Sequence, residues 1–505
     1  MPDALADQDR LVANMEQDEE DRAAPDDAAS VTTPVGCCHP AGTGYRMVVL
    51  ALVCLTSFGS YFCYDNPSAL ESEIKNDMDV STGQYMLLYS LYSWPNVVVC
   101  FFGGFFIDRI IGVRWGAILF GGLLLIGHYI FALGAFVNRF WVMQMGRFIF
   151  GLGGENLAVA VNAYAVNWFK GSALNLVMGL SLSVSRVGSV LNMNTMKPLY
   201  NQLAKTYSGY TCLGLTLFIG GTTLILSQFC TFQLAWLDKR AKRILKPATV
   251  VAAGEKISFR DIKDFPWSLY LICAICVGYY TAIFPFISLG LVFYESKYGL
   301  SPQRAMLLNS LVYTISAVGS PILGFLIDRT GRNIIWTISA ISITIVAHGI
   351  LGFTFVNPFV AVSMMGVAYS MLASSLWPMV ALVVKEHQLG TAYGIMQAVQ
   401  NLGLAVFAIV AGTIVDKAGY LVLEVFFIGL LCVSLLSAAM LYLYDSKVNG
   451  LLNLSVLQQK ARFDEEKRLA ALREDNLVNG QTVVTEGKTT IEPVYPDNEA
   501  PRISF

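Results

Sequence analysis

The chain has 505 residues, 55% of them hydrophobic and only 14% charged, with a formal net charge of −2. Soluble domains carry about 25% charged residues, so a single soluble core is excluded, and the near-neutral balance argues against a nucleic-acid partner. Runs of about 20 apolar residues recur instead, each long enough to cross a bilayer.

Residues 1–44 read as a disordered cytosolic tail, rich in charge, Ala and Pro and poor in aromatics. Glu16, Asp18, Glu19, Glu20 and Asp21 stand where a cleavable signal would need a basic start and an apolar stretch. The first span is therefore expected to act as its own insertion signal. Cys37 and Cys38 lie just before it, a weak palmitoylation signal. Spans are expected at 45–65, 83–107, 113–137, 139–164, 172–197 and 211–236, an N-terminal six-helix bundle over 45–236. A cytosolic linker, 237–263, separates it from a C-terminal six-helix bundle over 264–445, with spans at 265–292, 304–327, 333–355, 357–384, 391–415 and 419–445. Residues 446–505 form a cytosolic C-terminal tail. Its opening, Leu451 to Leu472, has apolar residues at roughly helical spacing and fits a short amphipathic helix, although a partly helical solvated tail is favoured.

Lys and Arg set the orientation. Arg109, Arg114, Lys170, the cluster Lys239–Lys246, Arg329, Arg332 and Lys385 all fall in even-numbered loops, which places those loops and both termini in the cytosol.

Two segments repeat. Gly104-x-x-x-Asp108-Arg109-x-x-Gly112-x-Arg114 and Gly324-x-x-x-Asp328-Arg329-x-Gly331-Arg332 start 220 positions apart, each after the second helix of its set. Gly179, Arg186 and Gly188 align with Gly394, Asn401 and Gly403 at an offset of 215. The Gly-x-x-x-Asp-Arg segments resemble the loop signature of the major facilitator superfamily. The resemblance implies an all-α membrane protein with twelve transmembrane helices in two six-helix bundles. It also implies that the Asp–Arg charges lock the cytosolic helix ends in one transport state. The N-terminal copy carries one inserted residue at Ile110–Ile111, which is expected to distort its lock. Arg147-x-x-x-Gly151-x-Gly153-Gly154 is similar to a second motif of the superfamily, where a structural role is favoured for Arg147.

The runs Phe58–Pro67, Tyr92–Asn96 and Leu389–Gly394 resemble more closely a lysosomal branch of the same family. That likeness implies export of dipeptides from the lysosome by uniport, in the lysosomal membrane, with a heavily glycosylated lysosomal membrane protein as accessory subunit. The expected extracytosolic loops hold no Asn-x-Ser/Thr acceptor, since Asn66 precedes Pro67, which is compatible with a borrowed glycan shield. Family members carry an acidic dileucine sorting signal. Here the nearest run is Asp7-x-x-x-Leu11-Val12, with Val in the last place.

Ionisable residues at mid-membrane are costly and mark function. Glu155 falls near the middle of the fourth span and Arg186 near the middle of the fifth. One acid and one guanidinium match the two ends of a zwitterion, and the planar fork of Arg suits a carboxylate. A mutually neutralising pair and a proton relay are the competing roles. The resemblance implies that these two residues bind the peptide termini. Tyr64, Trp94 with Pro95, Tyr280 with Pro285, Trp377 with Pro378, and Gln397 and Asn401 on one helix face fill out a candidate substrate site. Pro95 is expected to interrupt the second span and Pro285 to mark a discontinuity in the seventh. Asp65 is assigned to the luminal surface rather than the site. His128 and His348, also 220 apart, are expected to make interhelical hydrogen bonds. Cys273-x-x-Cys276 lies in an apolar run without a second ligand pair, so no metal, cofactor or enzymatic role is expected. Proton-coupled symport on the same fold and a non-transporting peptide sensor remain as competing functions.

Overall fold

The computed structural model describes residues 39–40, 42–169, 174–245, 265–384 and 389–462, with 465 and 468. Among them, residues up to Val48 form one compact unit and those from Val49 onward another. The first contributes residues 39–40 and 42 and the start of helix α1, Thr43–Tyr64; the second holds the rest of α1 and every other helix.

After α1 come two short helices absent from the sequence expectation, α2 (Asn66–Ala69) and α3 (Glu71–Asp77). The remaining helices are α4 (Thr82–Phe105), α5 (Gly112–Phe136), α6 (Phe140–Trp168), α7 (Leu174–Leu203), α8 (Gly209–Gly220) and α9 (Thr222–Leu245). The second half adds α10 (Trp267–Tyr298), α11 (Pro302–Thr330), α12 (Asn333–Phe353), α13 (Pro358–Val383) and α14 (Leu389–Lys447). α8 and α9 form one span broken at Gly221. α14 holds two spans joined at Gly419, whose φ of +80° bends the chain where a side chain would be strained. Among the described residues the helices make twelve spans, six on either side of the 246–264 stretch.

Eight helical stretches among the described residues are long and apolar enough to cross a membrane by length and composition alone. α4, α6 and α7 fall outside that set although they have 24, 29 and 30 residues, at about 1.5 Å each enough to span. α6 carries Arg147 and Glu155, and α7 carries Arg186 and Lys197. These are the helices that turn polar faces to other helices rather than to lipid.

The internal repeat is visible as geometry. Gly188 of α7 sits so close to α1 that a Cβ would stand 2.6 Å from the Phe58 carbonyl oxygen, and Gly403 of α14 meets Val277 of α10 at 2.7 Å. The two halves thus pack their fifth span on their first in the same way. His128 bonds the Leu217 carbonyl at 3.0 Å and His348 bonds Glu424 at 2.7 Å, each tying the third span of its half to the sixth.

The N-terminal signature absorbs its inserted residue in a π-helical turn, Phe106–Ile111, the form that fits one extra residue without breaking a helix. Gly112 (φ +75°) and Gly331 (φ +67°) then end the two copies alike. Pro95 and Pro285 do not interrupt their helices, contrary to expectation, since α4 and α10 run through them. Packed neighbours can satisfy the one carbonyl that each Pro leaves free.

The two halves touch mainly through α4 on α14 and α7 on α11. Hydrogen bonds between them run from mid-helix to the end that carries residues 66–81. Asp416 accepts from the amides of Thr82 and Gly83, Ser90 donates to the Ala405 carbonyl, Tyr85 to the Ser288 carbonyl and Ser68 to the Ile287 carbonyl. At the opposite end, residues 451–454 fold back, and the Arg332 amide donates to the Leu454 carbonyl at 3.0 Å. Asp445 takes the amides of Leu452 and Asn453. Ser455 and Gln458 exchange hydrogen bonds as a capping box for the helical stretch 456–462, in which Leu457 is 81% exposed.

Candidate functional site

Glu155 and Arg186 both point from the N-terminal half into the contact with the C-terminal half. Glu155 is half-buried; its Oε2 accepts from the Gln397 amide at 2.9 Å and its Oε1 from the Tyr92 hydroxyl at 3.5 Å. Arg186 is 4% exposed; its Nη1 donates to the Ser316 carbonyl at 3.1 Å and to the Ser320 hydroxyl, and its guanidinium lies 5.2 Å from the Tyr369 ring centre. The two charges form no ion pair with each other within 4.0 Å. Tyr61 lies within electrostatic reach of both. Each charge is therefore bonded to neutral groups of the opposite half, Glu155 also to Tyr92 of its own half, an arrangement a zwitterion could replace end for end.

The aromatic side of the chamber comes from α10, α13 and α14. The Trp377 indole donates to the Tyr280 hydroxyl at 3.0 Å, Tyr280 stacks on Phe284 at 5.5 Å, and Tyr369 stands edge-on to Tyr280 at 6.3 Å. Trp377 also stacks on Tyr393 at 6.2 Å. Asn401 turns its amide to its own helix, at the Gln397 carbonyl, and leaves Oδ1 buried without a hydrogen bond. Tyr280, Trp377, Gln397 and Asn401 are thus brought together near Glu155 and Arg186, with Tyr61 and Tyr369 added by the structure. Trp94 is not. It is 42% exposed, on one stripe with Val98 and Phe102, while Tyr92 on another face of α4 meets Glu155.

Tyr64 belongs to a neighbouring layer. It lines a small cavity with Met86, Tyr89, Ser93, Phe284, Pro285, Ser288, Leu404 and Ala408. Neither Glu155 nor Arg186 lines that cavity; the link is the edge contact of Tyr64 with Tyr92 at 4.8 Å. Arg147, 1% exposed, donates to the carbonyls of Leu88, Cys63 and Tyr64 at 3.2–3.5 Å, inside a cage of Tyr64, Tyr89, Tyr92, Phe131 and Phe150. Two of those carbonyls end α1, where the helix dipole favours a cation. Gly151, one turn further along α6, is the only residue type that fits there, since a Cβ would stand 2.2 Å from the Tyr92 carbonyl oxygen.

Asp65 corrects the sequence assignment. It is 2% exposed, beside Ser189 of α7 and Tyr313 of α11, with Oδ2 lacking a hydrogen bond. The hydropathy of the run could not show this, because burial depends on α2 and α3 folding over the helix end. The same fold buries Glu71 and Glu73. Lys197 pairs with Glu73, and Lys75 lies 3.6 Å from Glu71.

The expected charge lock is not engaged in the C-terminal signature. Asp328 and Arg329 are exposed and form no ion pair among the described residues; Arg329 lies over Phe325 at 4.8 Å instead. Gly324 has open space around it, its nearest neighbour being the Ser374 hydroxyl 3.9 Å from an added Cβ. The side chains of Asp108 and Arg109, the surroundings of Gly104, and Asp7, Leu11, Val12, Cys37 and Cys38 lie outside the described residues. What the N-terminal signature does show is Arg114 donating from Nε and Nη2 to Asp238 at 3.0 and 2.8 Å, which ties α5 to α9.

Comparison with known proteins adds a third line. The model of the Major Facilitator Superfamily matches residues 53–405 and 270–478. The human Lysosomal dipeptide transporter MFSD1 is 54% identical over 445 residues, covering 88% of this chain and 95% of the relative. The protein of the same name from Danio rerio is 54% identical over 431 residues, 85% of this chain and 93% of the relative. Among solved structures, the proton:xylose symporter XylE bound to 6-bromo-6-deoxy-D-glucose superposes with a TM-score of 0.62 at 14% identity, covering 79% of this chain and 95% of that one.

Proposed function

The chain belongs to the Major Facilitator Superfamily, and on that premise we propose that it is a dipeptide uniporter of the lysosomal membrane, exporting dipeptides to the cytosol by alternating access. The observation that carries the proposal is the paired placement of Glu155 and Arg186, opposite in sign and both turned into the contact between the halves. Glu155 takes the peptide ammonium and Arg186 the carboxylate, in bidentate fashion. Tyr280, Tyr369, Trp377 and Tyr61 offer apolar and edge contacts to side chains of many kinds, because the backbone termini carry recognition. Each further residue lengthens an extended peptide by about 3.5 Å, so a clamp between fixed charges also selects length.

In this reading the hydrogen bonds at the 66–81 end close the luminal side, and the unpaired Asp328 and Arg329 belong to an open cytosolic side. The relatives named as lysosomal dipeptide transporters support the substrate class and compartment. Both termini are cytosolic, Gly104, Asp108, Arg109, Gly324, Asp328 and Arg329 gate the cytosolic face, and the run Asp7, Leu11, Val12 is the candidate sorting signal. A glycosylated accessory membrane subunit shields the luminal loops.

One observation favours a second reading, proton-coupled symport. Asp65 is a buried acid between the halves with an unpartnered oxygen, a natural site for a proton. Reconstituted protein decides between the two. Dipeptides, but not free amino acids, should raise its melting temperature by mass action and enter vesicles with membrane potential and pH gradient clamped. Peptide-driven acidification of the vesicle interior would establish symport, and the absence of any dipeptide effect would remove both readings.

A further inference from the structure

An empty carrier that exposes its site to each side in turn must pass through a closed state with no ligand between its charges. Leaving a carboxylate or guanidinium buried and unpaired at that moment is costly. Here neither is unpaired. Gln397 of α14 presents an N–H to Glu155 at 2.9 Å, as a peptide ammonium would. The Ser316 carbonyl and Ser320 hydroxyl of α11 present oxygens to Arg186, as a peptide carboxylate would. In both cases the charge lies in the N-terminal half and the neutral partner in the C-terminal half, so these bonds need the two halves together at mid-helix. Ser183 of α7 adds a third, donating to the Ala317 carbonyl at 3.0 Å beside Arg186.

We infer that Gln397 and the Ser316–Ser320 turn are built-in stand-ins for the two ends of the peptide, positioning residues that let the empty protein close and reset and thereby make it a uniporter rather than an obligatory exchanger. The inference rests on the proposed clamp of Glu155 and Arg186. A neutral amide is a weaker partner for a carboxylate than an ammonium, and a hydroxyl with a carbonyl is weaker for a guanidinium than a carboxylate. Peptide therefore displaces the stand-ins, while in its absence they suffice.

The test compares two fluxes in proteoliposomes. Net uptake of a labelled dipeptide into empty vesicles needs the empty carrier to return; counterflow into vesicles loaded with unlabelled dipeptide does not. In Gln397→Ala the ratio of net uptake to counterflow should fall at least tenfold, and further in Gln397→Glu, where a second carboxylate would face Glu155 in the empty state but could share an ammonium in the loaded one. A purely structural role would lower both fluxes together and leave the ratio unchanged. An unchanged ratio in whichever of the two variants retains counterflow overturns the inference while leaving the clamp intact. If the unsubstituted protein moves no dipeptide in either mode, the clamp itself fails and this inference with it.

Discussion

Asp416 caps the start of α4 from the other half of the molecule, accepting the amide of Gly83 at 2.6 Å and that of Thr82 at 2.9 Å. The two helices approach closely here, since a Cβ on Gly412 would stand 2.8 Å from the Gly83 Cα. Asp416 therefore does the work of an N-cap, and does it only when the halves are together at this end. Removing such a cap costs about 1 kcal/mol. Asp416→Ala should therefore reduce the population closed at this end roughly fivefold. Hydrogen exchange at the Thr82 and Gly83 amides checks it. Unchanged protection would show that the helices are held together without the carboxylate.

Arg186→Ala should abolish dipeptide uptake while the protein stays folded, and Arg186→Lys should recover only part of it, because Lys lacks the bidentate fork. Glu155→Gln should weaken binding of dipeptides with a free amino end by about tenfold or more and leave N-acetylated controls unaffected. Uptake into proteoliposomes reads the first effect and isothermal titration of the purified variants the second; equal losses for free and acetylated peptides would exclude Glu155 as the ammonium partner.

Arg147 donates to three backbone carbonyls and fills the centre of an aromatic cage. Arg147→Ala removes the donor from the two carbonyls at the end of α1, at about 1–3 kcal/mol each if left buried and unsatisfied, and opens a cavity as well. A loss of about 3 kcal/mol or more is expected, seen as a lowered melting temperature that dipeptide only partly restores. A variant with unaltered melting but no transport would move Arg147 from scaffold to mechanism.

Glu71 gives the region over the helix ends a pH dependence. Burial lifts its carboxyl to about 7, partly offset by Lys75, with Glu295, Tyr85 and Tyr420 around it. When this region opens, Glu71 meets water and returns to the ordinary range near 4.3. The closed arrangement thus holds the proton more tightly. Its advantage is full below about pH 4.5, declines as pH rises by at most about 1.4 kcal/mol per unit, and is exhausted above about pH 7. Exchange of the amides of residues 66–81 should be slower at pH 5 than at pH 7.5 after correction for intrinsic rates, and Glu71→Gln should abolish the difference. A difference surviving in Glu71→Gln would assign the effect to another group.

The spans were legible because lipid demands long apolar stretches, and their ends came out within a few residues for most helices. The charged pair was legible for the opposite reason: Glu155 and Arg186 are exceptions that such stretches tolerate only for cause. Asp65, Glu71 and Glu73 were not, since polar residues after a span look like loop until α2 and α3 are seen to cover them. Trp94 misled because an aromatic beside a proline has the same sequence whether it faces a chamber or lipid. Tyr61 and Tyr369 sit in runs dense with aromatics, and only the approach of Arg186 singles out Tyr369. The inserted residue at Ile110–Ile111 was correctly located, but its accommodation as a π-turn depends on backbone geometry that no pattern of side chains announces.

The backward fold of residues 451–454 against the turn at Gly331 and Arg332 has a practical side. An added Cβ on Gly331 would stand 2.8 Å from both the Leu454 oxygen and the Val456 nitrogen, so this stretch is a floor beneath the turn rather than a loose end. Shortening the protein after residue 450 to ease purification or crystallisation would strip that floor away, whereas a cut after 468 would keep it. A fluorescent reporter is better fused beyond the longer boundary, away from the contact of residues 454–456 with Gly331.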